Sequence, residues 1–543
     1  MQKAETYLKR YGPVVGLGIL IWLVFGQAIH FDFVFWDDYQ HIVKNPNLST
    51  PLWQWPKILW IFSFDTSLRF EPGTWLGHML ICTLFSKEAG PYHFCLILLH
   101  FINSLLVYKL GCRVLSRFST NDTPRETIAF MASAFWALNA VRAEPLGRCT
   151  DLSYPLSTLF VLGSFWFYLV SFDDGRLQPY PCLASLILNG LAVCTYPISL
   201  GYAFCLPFFD RVFFPAAIRQ RWSWRSPGFA AYWSSRILFA LPSIAVGGAT
   251  LHARLHPTGV YAPDTAPVTP FNLFRLVHGV YAWGYIYLHQ FWPFGLTPGH
   301  YPWPDPGFHS IYWPALFCLA GAVAVAWGRK SAVIWALLVS SACLAAPMVG
   351  LAEEPTVPVD RYTYLPNAFS ALLLAWIASR FWSRHRSVIA ARVALGAGMA
   401  LLPILGWQSH RQLRIWRNSY TLFACLETSP EIEAQPSLQN HISNLKAAQL
   451  FIDQDLHAAL HIYEDLVRRE PENYQYWHNL GLVLHLLGHD PEALKSLRTA
   501  YALSGDPASL RMIQSILSHY PPRRTAPSND GAATPNHALI HSP

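Results

Sequence analysis

The chain has 543 residues, of which 52% are hydrophobic and only 13% are charged. Soluble domains carry about 25% charged residues, so this composition excludes an ordinary soluble protein and indicates a polytopic membrane protein. The formal net charge of +7 comes from Lys and Arg residues that stand mainly in short loops between apolar segments. We therefore read the charge as an orientation signal rather than as a nucleic-acid-binding surface.

The apolar segments predict an all-helical membrane bundle with about eleven transmembrane helices. The first follows a basic N-terminus, and we read it as an uncleaved helix rather than a signal peptide. When the segments alternate across the bilayer, the loops rich in Lys and Arg fall on one side, which the positive-inside rule assigns to the cytoplasm. The stretch 274–292 would break this alternation, so we interpret it as a re-entrant or interfacial helix on the outer side. The predicted spans are 12–30, 92–111, 127–141, 153–171, 181–195, 197–210, 236–254, 311–327, 331–350, 364–380 and 388–407.

This topology brings four polar loops to the non-cytoplasmic side, while the cytoplasmic side holds simple basic connectors. We therefore expect the function on the outer face, and we predict a cytoplasmic-membrane protein whose active face lies in the periplasm. The outer loops contain the pair Asp37 and Asp38, residues 142–151, residues 300–305 and residues 353–361.

The composition changes after residue 410, where the chain becomes polar and helical. We predict a membrane domain at 1–410, a helical repeat domain at 411–515 and a disordered tail at 516–543. With eleven spans, the repeat domain also lies on the outer side.

The repeat domain fits the tetratricopeptide pattern, whose period is about 34 residues. Two copies are visible, and the segment with Trp416 and Pro430 would supply a degenerate cap. The pattern residues are Ala459, Tyr463, Pro471, Trp477, Leu480, Gly481, Ala493, Leu497 and Ala500.

Two adjacent carboxylates, Asp37 and Asp38, follow the first span in the segment WDDYQHIVKNP. In an extended loop they point in opposite directions, so one can face a cavity while the other bonds to backbone or to a neighbouring Arg. A carboxylate in a partly dry cleft can act as a general base toward a hydroxyl or amide acceptor. Alternatively, the pair holds a divalent cation, caps a helix or marks topology.

The segment RAEPLGRCTD places two arginines, Arg142 and Arg148, beside two acids. The acids are Glu144 and Asp151. Outer loops are normally poor in Arg, and planar guanidinium donors suit phosphate. The segment therefore predicts an anion site, unless its charged side chains only pair with one another.

The segment EEPTVPVDRYTYLP brings Asp360, Arg361 and Tyr364 to the start of a predicted span. Arg361 can hold an anionic lipid headgroup, or it can pair with Asp360 or with Glu353. Such a cation at the membrane edge suits a ligand that carries a phosphate.

A fourth segment, YLHQFWPFGLTPGHYPW, is rich in Pro and aromatic residues and offers His300 and Tyr301 as substrate contacts. Acidic loops and outward arginines beside a membrane together permit a substrate with its phosphate at the membrane and a sugar in the water. The ten cysteines form no CxxC pair, so they predict neither a zinc site nor a disulfide framework.

Five segments, in chain order, resemble those of the transmembrane-and-tetratricopeptide-repeat proteins. These are relatives of the protein O-mannosyltransferases in the GT-C superfamily of polyprenyl-phosphate-sugar-dependent glycosyltransferases. The resemblance extends to about residue 510, and its most specific elements are DDY and DRYTYLP. The segments are FVFWDDYQHIVKNP, YHFCLILLHFINSLLVYKL, FWALNAVRAEPLGRCTDLSYPLSTLF, YIYLHQFWPFGLTPGHYP and PMVGLAEEPTVPVDRYTYLP.

The resemblance implies a GT-C fold whose active site lies on the lumenal or periplasmic side. Such enzymes transfer a sugar, mannose in the known protein mannosyltransferases, from a polyprenyl phosphate to a protein hydroxyl. It further implies that the lipid tail lies in a groove open to the membrane lipids and that the repeats dock the acceptor polypeptide.

Carried over to this chain, the resemblance makes Asp37 the base and Asp38 its support. Three arginines become candidates to hold the donor phosphate, and six further residues become candidate substrate contacts. The arginines are Arg361, Arg142 and Arg148; the contacts are Glu144, Asp151, His300, Tyr301, Asp360 and Tyr364. No metal site and no certain cofactor are implied, and a divalent cation at the Asp pair stays an alternative.

The chain departs from the family pattern at three places near the expected active face. Residues 71–72 read Glu-Pro where the family has Arg-Pro, although an arginine stands at position 69. Residues 139–140 read Asn-Ala instead of His-Pro, and residues 194–196 read Cys-Thr-Tyr where Ser-Lys is usual. These changes remove basic and polar groups near the expected active face, so they affect both the expected donor and the expected activity.

Two other function classes compete with an enzyme. A lipid or glycan transporter would place ionisable residues near the midplane of its spans, whereas here Asp and Glu stand at helix ends and in loops. A catalytically silent, membrane-anchored scaffold would keep the repeats and would tolerate loss of Asp37. The joint presence of WDDY and DRYTYLP favours the enzyme.

Overall fold

The structure is a computed structural model, and its described residues form helices and turns without any β-strand. This confirms the predicted all-helical class. Two predicted substrate contacts, His300 and Tyr301, lie outside the described residues, as do Glu353, most of the predicted span 311–327 and the tail beyond residue 518. The described residues are 2–50, 52–63, 69–118, 123–171, 178–213, 229–255, 273–296, 298, 320, 321, 323, 327, 332–348, 358–384, 388–433 and 435–518.

Twenty-one α-helices account for most of the described chain. Their bounds are α1 Gln2–Phe25, α2 Trp55–Ile61, α3 Pro72–Phe85, α4 Ala89–Phe118, α5 Arg125–Ala137, α6 Ala143–Gly147, α7 Ser153–Val170, α8 Pro179–Thr195, α9 Tyr202–Phe213, α10 Phe229–Leu255, α11 Leu273–Phe291, α12 Ala332–Ala345, α13 Tyr364–Arg384, α14 Val388–Leu413, α15 Ser419–Glu427, α16 Pro430–Glu433, α17 Pro436–Ile452, α18 Leu456–Arg469, α19 Tyr474–Leu486, α20 Asp490–Ser504 and α21 Pro507–Ser518.

Four segments of the described chain are helical, long enough and apolar enough to cross a membrane. They are Tyr11–His30, Ala89–Arg117, Cys149–Val170 and Tyr232–Ala253. Large apolar side chains stand exposed on these helices, for example Leu23 on α1 and Ile244 on α10. Such side chains suit contact with lipid, so the chain is a membrane-associated helical protein.

Helix α4 packs against α5, α7 and α13. His100 Nδ1 lies 2.7 Å from the Tyr364 hydroxyl on α13, and Asn103 donates to the Pro155 carbonyl on α7 at 2.8 Å. Trp136 on α5 donates to the Tyr364 carbonyl at 3.2 Å. Hydrogen bonds between helices satisfy polar groups that lipid cannot, and here they hold one end of α5, α7 and α13 together. Three short 3₁₀ segments stand at these ends: Ala140–Arg142, Cys149–Leu152 and Asp360–Thr363.

The chain divides into two compact units, Met1–Gln439 and Asn440–Pro543. The segment around Trp416, which the sequence analysis assigns to the repeat domain, belongs to the first unit. A Cβ on Gly147 would lie 2.6 Å from Trp416 Cβ, and the Phe35 N–H donates to Ser419 Oγ at 2.8 Å. These contacts with α6 and with the loop after α1 explain why the first unit extends beyond residue 410.

The second unit consists of paired helices. Helix α18 packs on α19, and α19 packs on α20, with the side chains of Ala459, Tyr463 and Leu497 buried. A Cβ on Gly481 would lie 2.6 Å from Leu497 Cγ, so the close approach of α19 and α20 requires glycine at this position.

Candidate functional site

A polar cavity of about 430 Å³ lies in the first unit. Its wall combines the loop after α1, one face of α3, the start of α7 and the segment before α13. Three arginines, three carboxylates, two histidines and five aromatic rings line it together. The lining residues are Trp36, Asp37, Gln40, His41, Arg69, Glu71, Thr74, Trp75, His78, Arg148, Thr150, Asp151, Ser153, Tyr154, Tyr196, Arg361 and Tyr362.

Asp37 presents its carboxylate to this cavity, and its side chain is 37% exposed. Its Oδ2 forms an ion pair with Nη2 of Arg148. Burial acts to lower the pKa of Arg148, but the carboxylates of Asp151 and Asp37 outweigh burial and raise it. Arg148 therefore stays protonated and orients the Asp37 carboxylate.

Asp38 has the opposite environment, because its side chain is fully buried and does not line the cavity. Its Oδ1 accepts hydrogen bonds from the backbone and the hydroxyl of Thr150, at 2.8 Å and 2.9 Å. Its Oδ2 accepts from the backbone N–H groups of Cys149 and Val34, at 3.2 Å and 3.3 Å. Asp38 thus ties the loop after α1 to the segment that precedes α7, and it fixes the position of Asp37.

A buried carboxylate holds Arg361 at the cavity wall. Glu144 accepts the backbone N–H of Arg361 at 2.9 Å and also pairs with its guanidinium. Burial acts to lower the pKa of Arg361, but Glu144 together with Tyr154, Asp151 and Tyr362 outweighs burial and raises this pKa well above its usual value. Asp151 Oδ1 lies 3.4 Å from Nε of Arg148 and 3.9 Å from Nε of Arg361, so it stands between the two cations.

Two buried polar atoms of the cavity wall lack a hydrogen-bond partner within the described part of the chain. They are Oδ2 of Asp151 and Nδ1 of His78. Burial, followed by the proximity of His41, lowers the pKa of His78 to about 3, so its imidazole is neutral. Both residues line the cavity, but these two atoms are themselves buried and present no surface to it.

Arg142, a predicted phosphate ligand, does not line the cavity. Its guanidinium donates to Thr363 Oγ1 and to Gln290 Oε1, both at 3.1 Å, and it lies over the rings of Trp136 and Tyr364. Burial lowers the pKa of Arg142 to about 9. Its donors bind protein acceptors, which makes Arg142 a packing element between α5, α11 and the segment before α13.

Asp360 and Tyr364, two predicted substrate contacts, also lie in the packed interior. Asp360 accepts from the Tyr285 hydroxyl at 3.1 Å, and burial raises its pKa well above the usual value. The Tyr364 hydroxyl is bonded to His100, as described above. The structure therefore brings Asp37, Arg148, Asp151 and Arg361 into one cavity wall, with Glu144 paired to Arg361, and leaves Asp360, Tyr364 and Arg142 outside that wall.

Helix α3 contributes cavity residues that the sequence analysis did not select. Glu71, at the N-cap position of the helix, is followed by Thr74, Trp75 and His78, so the four residues occupy positions i, i+3, i+4 and i+7. This spacing places them on one helical face, and it is the signal that would have identified them.

A second missed group consists of Arg69 and two tyrosines. Arg69 Nη1 donates to the Tyr196 hydroxyl at 3.1 Å, and that hydroxyl lies 3.1 Å from the Tyr154 hydroxyl. Arg69 stands two residues before Glu71 and supplies a third cation to the cavity.

No group of three or more His, Cys, Asp or Glu side chains arranged to hold a metal occurs in the part of the chain that is described. Both oxygens of Asp38 already accept hydrogen bonds from the protein. The alternative role of the Asp37 and Asp38 pair in binding a divalent cation therefore stays a hypothesis.

A scan against protein-family models finds no match to the chain, and a search of curated proteins finds no significant match.

Proposed function

We propose that the chain is a membrane glycosyltransferase of the polyprenyl-phosphate-sugar-dependent type. It transfers a sugar, with mannose as the first candidate, from a polyprenyl phosphate to a protein hydroxyl on the periplasmic or lumenal side. The observation that carries the proposal is the cavity in which the partly exposed carboxylate of Asp37 faces the same space as Arg148, Arg361 and Arg69. A base beside a group of fixed cations is the arrangement that transfer from a phosphodiester donor requires.

In the proposed reaction, Asp37 takes the proton of the acceptor hydroxyl. The hydroxyl oxygen forms a bond to the anomeric carbon of the sugar while the bond from that carbon to the phosphate oxygen breaks. The electron pair of the broken bond leaves with the polyprenyl phosphate. Arg148 orients the base through its ion pair, and no co-reactant is needed to balance the step.

Arg361 and Arg69 are the proposed phosphate contacts. Glu144 binds both the backbone and the guanidinium of Arg361, which fixes this cation before the donor arrives. A fixed cation stabilises the negative charge that develops on the departing phosphate without having to reorganise. Arg69, bonded to Tyr196, compensates for the Glu71 that stands where the family has an arginine.

The proposed topology has about eleven spans, a cytoplasmic N-terminus and the cavity on the outer side. It is supported by the origin of the cavity residues, since Asp37, Arg148 and Arg361 come from three different loops that the positive-inside rule assigns to one face. Loops on opposite sides of a bilayer could not share a cavity wall of this size.

The second unit is proposed to act as a tetratricopeptide-like module that docks the acceptor polypeptide. Helices α18 and α20 begin at Leu456 and Asp490, which matches a repeat of about 34 residues. The buried positions of Ala459, Tyr463 and Gly481 agree with the small and aromatic residues of that pattern.

The test is transfer of label from radiolabelled polyprenyl-phosphate mannose by membranes that contain the protein. Label in the protein fraction, above that of membranes without the protein, supports the proposal, and label in glycan or lipid would name another acceptor class. Absence of transfer from mannose, glucose and galactose donors alike would contradict it and would favour a silent scaffold.

A further inference from the structure

An apolar groove of about 520 Å³ lies between α5, α13 and α14. No described residue lines both this groove and the polar cavity. The groove is open at the surface of the protein, because lining side chains such as Ile377 and Leu401 are 47% and 51% exposed. The lining residues are Ile128, Met131, Ala132, Phe135, Phe291, Leu374, Ala375, Ile377, Ala378, Phe381, Trp382, Leu395, Gly398, Leu401 and Leu402.

The groove exists because two consecutive helices do not pack closely on each other. Helix α13 ends at Arg384 and α14 begins at Val388, and helices with so short a connection are usually packed antiparallel neighbours. In the described part of the chain, α13 and α14 each pack on α5 but approach each other only loosely. An empty gap would leave the lining side chains without van der Waals partners, whereas a hydrocarbon chain fills it.

The hydrogen bonds at one end of these helices define their directions. Trp136 near the end of α5 donates to the Tyr364 carbonyl at the start of α13, at 3.2 Å. Ser409 near the end of α14 donates to the Leu138 carbonyl, which follows α5, at 2.6 Å. Helices α5 and α14 are therefore parallel and α13 is antiparallel to both. The start of α5, the end of α13 and the start of α14 lie together at the other end of the groove.

This other end is basic. The stretch 380–392, RFWSRHRSVIAAR, contains four arginines and no acid, and the side chains of Arg380 and Arg392 are exposed. The first turn of α5 adds Arg125 and Glu126, whose charges cancel. Basic pockets between membrane helices bind the headgroups of anionic lipids. The charge at this end therefore complements a lipid phosphate, and the apolar groove complements its hydrocarbon chain.

The length and position of the groove favour a membrane phospholipid over the tail of a polyprenyl donor. From Leu374 to Trp382, α13 rises about 12 Å, which is less than half of the ~30 Å hydrocarbon core of a bilayer. A donor tail would begin beside Arg361 in the polar cavity. From Tyr364 to Leu374, however, α13 rises about 15 Å before the groove begins.

We infer that this groove binds one anionic glycerophospholipid. Its acyl chain lies between α13 and α14, and its phosphate lies beside Arg380 and Arg392. The bound lipid completes the packing that these two helices do not provide for each other, so it stabilises the first unit. The inference does not depend on the proposed transfer activity.

The experiment follows the thermal unfolding midpoint of the purified full chain in a non-ionic detergent during titration with dioleoyl phosphatidylglycerol or dioleoyl phosphatidylcholine. The two lipids have the same acyl chains and differ in headgroup charge. A lipid that binds only the folded state raises the midpoint. Phosphatidylglycerol should do so at a concentration at least tenfold lower than phosphatidylcholine. Equal half-saturating concentrations would overturn the inference.

Two sets of variants separate the headgroup contact from the acyl-chain contact. Arg380→Gln and Arg392→Gln should each weaken phosphatidylglycerol binding about fivefold. Arg411→Gln, at the opposite end of α14, is the matched control and should leave it unchanged. Ala378→Phe fills the groove and should abolish stabilisation by phosphatidylglycerol. Ala400→Phe, at an exposed position of α14 outside the groove lining, should retain it.

A phosphatidylglycerol with a diazirine in its acyl chain locates the bound lipid. It should cross-link to residues 374–382 and 395–402 of the wild type, and Ala378→Phe should prevent this. Cross-links spread evenly over the apolar helices would overturn the inference, as would displacement of phosphatidylglycerol by equimolar polyprenyl phosphate, which would assign the groove to the donor tail. If Ala378→Phe fails to fold, the arginine variants decide. Selective binding of phosphatidylglycerol by a protein without transfer activity would uphold this inference while the proposed function fails.

Discussion

Asp37 and Asp38 are adjacent in the chain but face opposite environments. The Asp37 side chain is 37% exposed and lines the cavity, whereas the Asp38 side chain is fully buried and accepts hydrogen bonds from Val34, Cys149 and Thr150. The Asp37 carboxylate is thus accessible from the cavity, whereas the Asp38 carboxylate fixes the conformation of the loop. The two residues should respond differently to substitution.

Asp38→Asn should destabilise the fold. An amide keeps one acceptor oxygen and turns its NH₂ group toward backbone donors, so at least one charge-assisted hydrogen bond is lost. We expect a loss of about 3 kcal/mol in the free energy of unfolding, measured by chemical denaturation in detergent micelles. Asp32→Asn, at an exposed position of the same loop, should change it by about 0.5 kcal/mol or less. An Asp38→Asn variant as stable as the wild type would contradict the anchoring role.

Arg361→Ala should impair use of the donor more than use of the acceptor. The substitution removes a cation that Glu144 fixes at the cavity wall, so the KM for the polyprenyl-phosphate donor should rise roughly tenfold or more. Steady-state kinetics with each substrate varied in turn would measure this. An effect confined to the acceptor KM would argue against a phosphate contact.

Arg142→Met should affect stability without changing the donor KM. Arg142 is fully buried, and its removal leaves Gln290 Oε1 and Thr363 Oγ1 without their donor. We expect a loss of about 2–4 kcal/mol in unfolding free energy. Protein that remains folded should keep the donor KM of the wild type. A raised donor KM would show that Arg142 contacts the donor phosphate.

His78 should make the fold less stable as the pH falls. Its pKa is lowered to about 3 in the folded protein, against 6.5 in the unfolded chain, so only the unfolded state takes up this proton between these values. The free energy of unfolding should therefore decrease below pH 6.5, by about 2 kcal/mol at pH 5 from this group. The difference in stability between wild type and His78→Asn, followed from pH 7.5 to pH 5, measures it. An unchanged difference would show that His78 is not a buried neutral imidazole.

The proposed topology predicts which side of the membrane carries the second unit. Glu472 is exposed between α18 and α19, so a cysteine in its place is accessible. In intact bacterial spheroplasts, a membrane-impermeant maleimide should label Glu472→Cys above the background of the parent protein. Labelling that appears only after permeabilisation of the cytoplasmic membrane would overturn the topology.

The helical class follows from the apolar segments, and several bounds lie close to those predicted. The predicted spans 153–171 and 364–380 correspond to helices Ser153–Val170 and Tyr364–Arg384. The extent of the first unit was harder to predict, because residues 411–439 are polar in composition. Their position depends on contacts such as that of Trp416 with Gly147, which no local pattern reveals.

Part of the candidate site could be predicted from charged motifs that stand next to an apolar segment. These motifs contain Asp37, Arg148 and Arg361. Arg142 and Arg148 could not be distinguished in this way. Arg142 precedes the short helix α6 in helical backbone, whereas Arg148 follows it in extended backbone, and only Arg148 lines the cavity. His78 was missed because it stands on an apolar helix, where a histidine alone carries no signal. Its helical spacing from Glu71 and Trp75 indicates a cavity residue only when Glu71 is known to line the cavity.

The role of Asp37 as general base is tested by the transfer rate of the purified protein in nanodiscs, with radiolabelled polyprenyl-phosphate mannose and acceptor peptides rich in Ser and Thr. Three variants are compared with the wild type: Asp37→Asn, Asp37→Glu and Asp32→Asn. We predict a loss of at least 100-fold for Asp37→Asn, as expected for removal of a general base, with unfolding midpoints unchanged. Asp37→Glu should retain part of the activity and Asp32→Asn all of it. Full activity in Asp37→Asn would show that Asp37 is not the general base.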